Sequence, residues 1–220
     1  LGLKACSINF PDILMVQGKY QFKPELPFSP GMEGAGVVLE VGPGVTSLKP
    51  GDEVVAGLRI GGFAEEVNAQ ASACRPIPKG MDFIKAAAYP AAYLTAYVAL
   101  VIRGNLQKGE TLLVHGATGG VGMAAVDVGK LLGATVIATS ASDEKLEAVK
   151  KRGADYTLNV TKGFKDKVKE LTDGRGADVI YDPVGGDVFD ESVRCIAWNG
   201  RLLVIGFTSG RIPSVPVNMP

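Results

Sequence analysis

Residues 111–140, TLLVHGATGGVGMAAVDVGKLLGATVIATS, constrain the fold more than any other stretch of the chain. The apolar run Thr111–His115 has strand composition and ends in a turn of small residues, Gly116–Gly122. A helical pattern follows over Val121–Leu132, and a second strand-like run covers Thr135–Thr139. Strand, glycine turn, helix and strand in this order make the unit that holds a dinucleotide pyrophosphate. The spacing Ala117-x-Gly119-x-x-Gly122 puts alanine where the first glycine is usual. The physics survives the exchange. Gly119 lets the backbone approach a phosphate, the helix N-terminus brings free N–H groups and a positive dipole, and Gly122 permits close packing of helix on strand. Ala117, Thr118, Gly119, Gly120, Val121 and Gly122 are the candidate phosphate-binding set, and a glycine-rich packing turn is the alternative.

Downstream the alternation continues. Helical patterns over Asp143–Arg152, Phe164–Leu171 and Phe189–Ile196 separate strand-like runs at Tyr156–Val160, Asp178–Tyr181 and Arg201–Phe207. Strands and helices in alternation predict an α/β fold with a parallel, doubly wound sheet. The first 80 or so residues differ. Short runs at Leu1–Ile8, Gly34–Val41, Asp52–Ala56 and Phe63–Asn68, parted by Gly and Pro turns, predict a small β domain or barrel without a long helix. Helical composition at Ile84–Tyr89 and Ala91–Arg103, broken by Pro90, joins the two parts. The expected domains are residues 1–92 and 93–220.

The 220 residues are 46% hydrophobic and 21% charged, with a formal net charge of zero, so no basic footprint for nucleic acid or an anionic membrane is present. No apolar run is long enough to span a bilayer, and the first residues do not read as a signal peptide. The three cysteines are scattered without a CxxC, which argues against a disulfide framework and points to a reducing, cytoplasmic setting. Leu1 opens inside a strand-like run and Pro220 closes a Pro-rich stretch, so the ends read as those of a longer chain.

The motifs NFPDILMVQGKY (9–20), PGMEGAG (30–36), LTAY (94–97), GATGGVG (116–122) and YDPVGG (181–186) occur in that order. With them the chain resembles the medium-chain dehydrogenase/reductase superfamily, in its zinc-independent NADPH:quinone oxidoreductase branch. The resemblance implies a GroES-like β-barrel portion followed by a Rossmann sheet. It further implies an N-terminal strand region, a sixth Rossmann strand and a closing C-terminal segment beyond these 220 residues, and a homodimer joined through that sixth strand. Zinc-dependent relatives hold their metal with Cys, His and Cys. The matching positions here are Asn9, Met32 and Ala91, none a good zinc ligand, so no metal is expected. The sole histidine, His115, reads as a satisfied core residue.

An NAD site usually closes its second strand with an acid on the ribose 2′-hydroxyl. Ser140 stands there instead, and Lys145, one turn into the next helix, matches a family lysine that meets a 2′-phosphate. NADPH is therefore the expected cofactor. A local reading stays open beside this one: Ser140-Ala-Ser-Asp143 fits a capping box and Lys145 a solvated surface. A tyrosine common beside this phosphate is Val160 here. The resemblance places Val184, Phe207 and Thr208 against the nicotinamide end and Thr95 facing the ring, with ordinary turn and helix packing as the alternatives.

On the substrate side the resemblance assigns Asn9, Asp12 and Tyr20. It puts Asn9 near the nicotinamide ribose and the substrate carbonyl, and it makes Tyr20 a hydrogen-bond donor to the substrate oxygen as charge develops, against a half-buried loop tyrosine. A second family tyrosine is Leu14 here. The implied activity is hydride transfer to a quinone or related α,β-unsaturated carbonyl, because without a Lewis acid the substrate must already be electrophilic. The alternatives are an enoyl-thioester reductase and a non-catalytic NADPH-binding structural or RNA-binding protein. Zero net charge counts against RNA.

Overall fold

The structure, a computed structural model, describes residues 1–216 and 218. The chain divides into two compact units, Leu1–Ala91 and Ala92–Pro220. Pro220, at the end of the Pro-rich tail, lies outside the described residues.

In the first unit β1 (Gly2–Cys6), β2 (Glu33–Val37), β3 (Glu53–Gly57) and β4 (Cys74–Pro76) form an antiparallel sheet in that order. Two features depart from the sequence reading. Phe10–Val16 is a helix, α1, with Pro11 in its first turn and Asp12 and Met15 buried; Gly18, at φ +66°, ends it. Phe63–Asn68 is not a strand. Its backbone bonds divide among Pro30, Leu1 and Leu3, leaving a single bridge, Gly2 to Glu66, in place of a ladder.

Val54 and Ala56 of β3 pack with Val38 and Cys74, while Val55 between them packs with Ala35, Ala86 and Ala87, as alternation along a strand requires. Ala86 and Ala87 lie in α2 (Phe83–Ala87), capped by the Asp82 side chain, which accepts the Lys85 N–H at 2.7 Å.

A wide-turned helical stretch begins at the last residues of the first unit and continues into the second. Pro90–Leu94 and Val98–Arg103 are π-helical and flank one α-turn, α3 (Thr95–Tyr97). As expected, Pro90 separates α2 from this stretch, and it can stand at the first position because no N–H is needed there. The Tyr93 hydroxyl donates to Asp127 at 2.5 Å, and Arg152 grips the same carboxylate at 2.8 Å.

Five parallel strands follow: β5 (Thr111–Val114), β6 (Thr135–Ser140), β7 (Tyr156–Asn159), β8 (Ala177–Asp182) and β9 (Ile196–Val204). Their order is β7-β6-β5-β8-β9, so the winding reverses between β5 and β8. Helices α4 (Gly120–Leu131), α5 (Asp143–Lys151), α6 (Lys165–Leu171) and α7 (Gly186–Ser192) connect them. The central strands are covered on both faces. Leu112, Val114, Val136 and Tyr181 meet α4 through Ala124, Ala125 and Val126, and Leu113, Ile137 and Ile180 meet Phe164, Val168 and Cys195.

The expected helix Phe189–Ile196 starts earlier, at Gly186, and ends at Ser192, whose hydroxyl bonds back to the Val188 carbonyl at 2.7 Å. Ile196 is therefore already strand. Asn199, at φ +59°, interrupts the β8–β9 register before Arg201 resumes it.

Candidate functional site

The expected phosphate turn sits at the C-terminal end of β5. Gly116 takes φ +54°, the Ala117 N–H bonds the Thr139 carbonyl of β6 at 2.9 Å, and the chain enters α4 at Gly119. Ala117 is fully buried and shapes the turn through that bond. The first N–H groups of the helix, from Gly120, Val121 and Gly122, have no intrahelical acceptor and carry the positive end of its dipole.

The glycines of this turn are needed for different reasons. A Cβ on Gly122 would lie 2.3 Å from the Gly116 oxygen and 2.7 Å from the Ala117 Cα, so the protein itself excludes a side chain. A Cβ on Gly119 would meet nothing nearer than 3.5 Å, and one on Gly120 nothing within 4 Å. Nothing in the fold requires glycine at those two positions. Their open backbone fits a phosphate group that comes close from outside.

At the end of β6, Ser140 is nearly buried; its hydroxyl lies 3.2 Å from that of Thr118 and accepts the Ser142 N–H at 3.3 Å. Ser140 does not cap α5. Ser142 does, accepting the Lys145 N–H at 3.3 Å, and this frees Ser140 for the turn. The strand thus ends in two hydroxyls and no acid. The exposed Lys145 ammonium pairs with no described residue. Val160 lies in a short 3₁₀ turn after β7.

The loops after β8 and β9 are zipped together. The Thr208 N–H bonds the Pro183 carbonyl and the Ser209 N–H the Val184 carbonyl, both at 3.0 Å, and the Gly186 N–H bonds the Arg211 carbonyl at 3.1 Å. Asp182 organises the first loop: its Oδ1 takes the N–H groups of Val184 at 2.8 Å and Gly185 at 3.0 Å. Burial pushes this carboxyl above the usual range, and its Oδ2 has no hydrogen-bond partner among the described residues. Gly116 approaches Pro183 and Val184, and Gly185 approaches Phe207, so the predicted Val184 and half-buried Phe207 gather with the phosphate turn, and exposed Thr208 borders them. Thr95 is half-buried in α3, which packs on α4.

In the first unit Asn9 and Asp12 come together and Tyr20 joins neither by a hydrogen bond. Asp12 is buried with both oxygens committed to backbone: Oδ2 takes the Asn9 N–H and Oδ1 the Gly31 N–H, each at 2.9 Å. Both oxygens of the Asp12 carboxylate thus hold backbone in place. The Asn9 amide donates to Glu33 Oε1 at 2.8 Å, and Ala91 N–H donates to Glu33 Oε2 at 2.7 Å. Burial, then the charges of Asp12 and Glu33, push the Cys6 thiol beside them up to about 11, so it is not a nucleophile near neutral pH. Tyr20 is half-buried in the bend after α1.

Asn9, Met32 and Ala91 offer an amide whose hydrogens point inward, a thioether and a methyl. No cluster of His, Cys, Asp and Glu among the described residues could hold an ion. His115 is fully buried, with Nδ1 2.8 Å from the Thr139 hydroxyl and Nε2 2.8 Å from that of Ser192. Since Ser192 donates to Val188, Nε2 carries the hydrogen toward it, and burial lowers the imidazole to about 3.

Sequence reasoning passed over Glu33 and Asp182. The available signals were an acid inside the apolar run GMEGAGVV, which must find donors if buried, and an Asp before Pro-Val-Gly-Gly, which favours a side-chain turn.

Residues 1–79 match the Alcohol dehydrogenase GroES-like domain, and residues 120–220 match the Zinc-binding dehydrogenase family. The Quinone oxidoreductase-like protein 2 homolog of Nematostella vectensis is 50% identical over 223 residues, covering 100% of this chain; the chain spans 60% of that relative's length. The structure of Escherichia coli quinone oxidoreductase complexed with NADPH is 33% identical, with a TM-score of 0.91 over 99% of this chain and 67% of that one. A mycobacterial protein complexed with NADPH is 36% identical, with a TM-score of 0.92 over 99% of this chain and 68% of that one. The chain belongs to the medium-chain dehydrogenase/reductase superfamily, among its quinone oxidoreductase-like members.

Proposed function

We propose that the chain is an NADPH-dependent, zinc-independent oxidoreductase that passes hydride to quinones or related α,β-unsaturated carbonyls. The observation that carries this reading is the acid-free end of β6, where Ser140 and Thr118 set two hydroxyls beside a glycine turn whose Gly119 and Gly120 have open space above them. The NADPH bound by the two similar structures supports it.

In this reading residues 93–220 bind the dinucleotide and residues 1–92 carry the substrate-side groups. The N–H groups of the turn hold the pyrophosphate. Ser140, Thr118 and the unpaired Lys145 ammonium bind the 2′-phosphate, and an acid that would repel it is missing. Val184, Phe207, Thr208 and Thr95 line the nicotinamide. The cofactor, when bound, supplies the hydride. Tyr20 donates a hydrogen bond to the substrate oxygen as negative charge grows there, the task a metal performs in other dehydrogenases. Asp12 acts by fixing Asn9. Zinc independence rests on the donor chemistry of Asn9, Met32 and Ala91. A homodimer joined through a sixth strand added beside β9 completes the proposal.

The test is oxidation of NADPH and of NADH against a panel of quinones, enones and enoyl thioesters. Quinone turnover that prefers NADPH supports the reading. Turnover confined to enoyl thioesters would replace it with an enoyl-thioester reductase, and no affinity for either dinucleotide would end it.

A further inference from the structure

The first unit contains a buried carboxylate to which the proposed chemistry gives no task. Glu33 starts β2 and is 2% exposed, yet its two oxygens collect three donors. Oε1 takes the Ser7 hydroxyl and Asn9 Nδ2, the latter at 2.8 Å, and Oε2 takes the Ala91 N–H at 2.7 Å. A carboxylate this deep is tolerable only with such partners.

Asn9 is gripped at both ends. Its main-chain N–H is held by Asp12, itself tied to the Gly31 N–H. Its side-chain amide has two hydrogens; one goes to Glu33 Oε1 and the other lies toward Ser7 Oγ at 3.0 Å. The amide cannot turn over, because Oδ1 would then face a carboxylate oxygen, acceptor against acceptor. With both hydrogens held inward, the half-buried Asn9 reaches a ligand only through Oδ1, which faces the Asp12 N–H in the capping box of α1 and has a second lone pair for a ligand.

We propose that Glu33 is a positioning residue that sets the polarity of Asn9, so that Asn9 accepts a hydrogen bond from a ligand hydroxyl and donates none to a substrate carbonyl. The inference rests on the proposed function. It removes Asn9 as a donor to the substrate oxygen and leaves that task to a group such as the Tyr20 phenol, which has no hydrogen-bond partner among the described residues. The hydroxyl belongs either to the dinucleotide ribose or to the hydroquinone product.

A reciprocal exchange tests this. In Glu33→Gln the new amide keeps an oxygen toward Ala91 and turns its NH2 toward Asn9, which must flip and present its own N–H outward. In Asn9→Asp two carboxylates face each other. The double variant E33Q/N9D restores the pattern: the amide introduced at position 33 donates, and the carboxylate introduced at position 9 again offers an oxygen outward. For all four proteins we would measure the NADPH dissociation constant by cofactor fluorescence, inhibition by a hydroquinone, KM and kcat with the parent quinone, and Tm. Each single variant should weaken the hydroxyl ligand about 10- to 100-fold, and the double should return to within about threefold of the parent. A loss in NADPH affinity assigns the hydroxyl to the ribose, and a loss in hydroquinone inhibition assigns it to the product. Losses that multiply in the double, or single variants that match the parent, overturn the inference. If the singles fail to fold, a folded double with near-parental binding still supports it and an unfolded double overturns it. A parent protein that neither binds NADPH nor reduces a quinone removes the proposed function and this inference with it, whereas an active parent with multiplying losses removes the inference alone.

Discussion

Substituting alanine at Gly119 and at Gly122 should separate binding from folding within one turn. At Gly122 the added Cβ would sit 2.3 Å from the Gly116 oxygen and 2.8 Å from its carbonyl carbon, both backbone atoms that no rotamer change can move. Relieving that overlap means shifting α4 away from β5, at a cost of about 3 kcal/mol and a Tm lower by about 6–12 °C. At Gly119 the backbone is at φ −89° and ψ 169°, open to any residue, and the nearest protein atom to a Cβ is 3.5 Å away. Alanine is a poorer N-cap than glycine but restricts the unfolded chain, so the net effect on stability should stay within about 1 kcal/mol. A pyrophosphate seated on the turn would meet the new methyl and lose one or two charge-assisted bonds, weakening NADPH about 10- to 150-fold. Thermal unfolding with and without NADPH, together with cofactor-fluorescence titration, reads both quantities. Gly119→Ala with parental NADPH affinity, or with the same Tm loss as Gly122→Ala, would refute the argument that a ligand, not the fold, keeps glycine at 119.

Lys145→Ala should narrow the preference for NADPH over NADH by about 1–2 kcal/mol, the size of one charge-assisted contact, and equal affinities in the parent protein would sink the idea. Tyr20→Phe should keep NADPH affinity and lower turnover, less with quinones than with enones, because the stronger electrophile needs less help at its oxygen; a collapse of NADPH affinity would move Tyr20 to the cofactor side. His115, pushed from 6.5 down to about 3 by burial, binds a proton in the unfolded chain that the folded state refuses. Its contribution to stability is therefore complete above pH 6.5 and declines as pH falls toward 3, by at most about 1.4 kcal/mol per pH unit. Denaturant unfolding between about pH 7 and 4 should show a shallower decline in His115→Gln. An unchanged slope would mean the histidine is not buried neutral. Asp127, Glu110 and Asp155, held low with help from Arg152, Arg201 and Lys130, add a loss of the same sign at lower pH that this variant leaves in place.

The parallel sheet was readable because its central strands are covered on both faces and therefore appear as unbroken apolar runs, such as Leu112–Val114 and Val179–Tyr181. The first unit was harder to read. Helix α1 spans seven residues, too few for a hydrophobic period to show, and Phe63–Asn68 has strand alternation without a strand's partner. Alternation reports that one side is covered. It does not report whether a neighbouring backbone runs in register beside it, which depends on pairings set elsewhere in the chain. The shift of α7 and β9 has a local cause instead. Gly185 and Gly186, both at positive φ, complete the turn early, so the helix starts and stops earlier than its apolar residues suggest.

The glycine turn after β5 was legible because glycine itself marks where a backbone must bend or pack closely. Glu33 was not, because what a buried acid does is decided by its donors, and these come from Ser7, Asn9 and Ala91, which lie 26, 24 and 58 residues away. No spacing encodes such a set. The end of β6 shows the same limit at shorter range. Ser140 and Ser142 both precede Asp143, and either could cap the following helix by composition alone. Ser142 is the cap because α5 begins at Asp143, directly after it, while the Ser140 hydroxyl lies beside that of Thr118, 22 residues back in the glycine turn. Had Ser140 become the cap, its hydroxyl would turn toward a helix N–H and away from that of Thr118, now 3.2 Å from it. The Ser140–Thr118 hydroxyl pair therefore arises from the glycine turn and β6 folding against each other, and under the proposed function a substitution at Thr118 should alter cofactor choice without touching the strand whose last residue is the usual determinant of it.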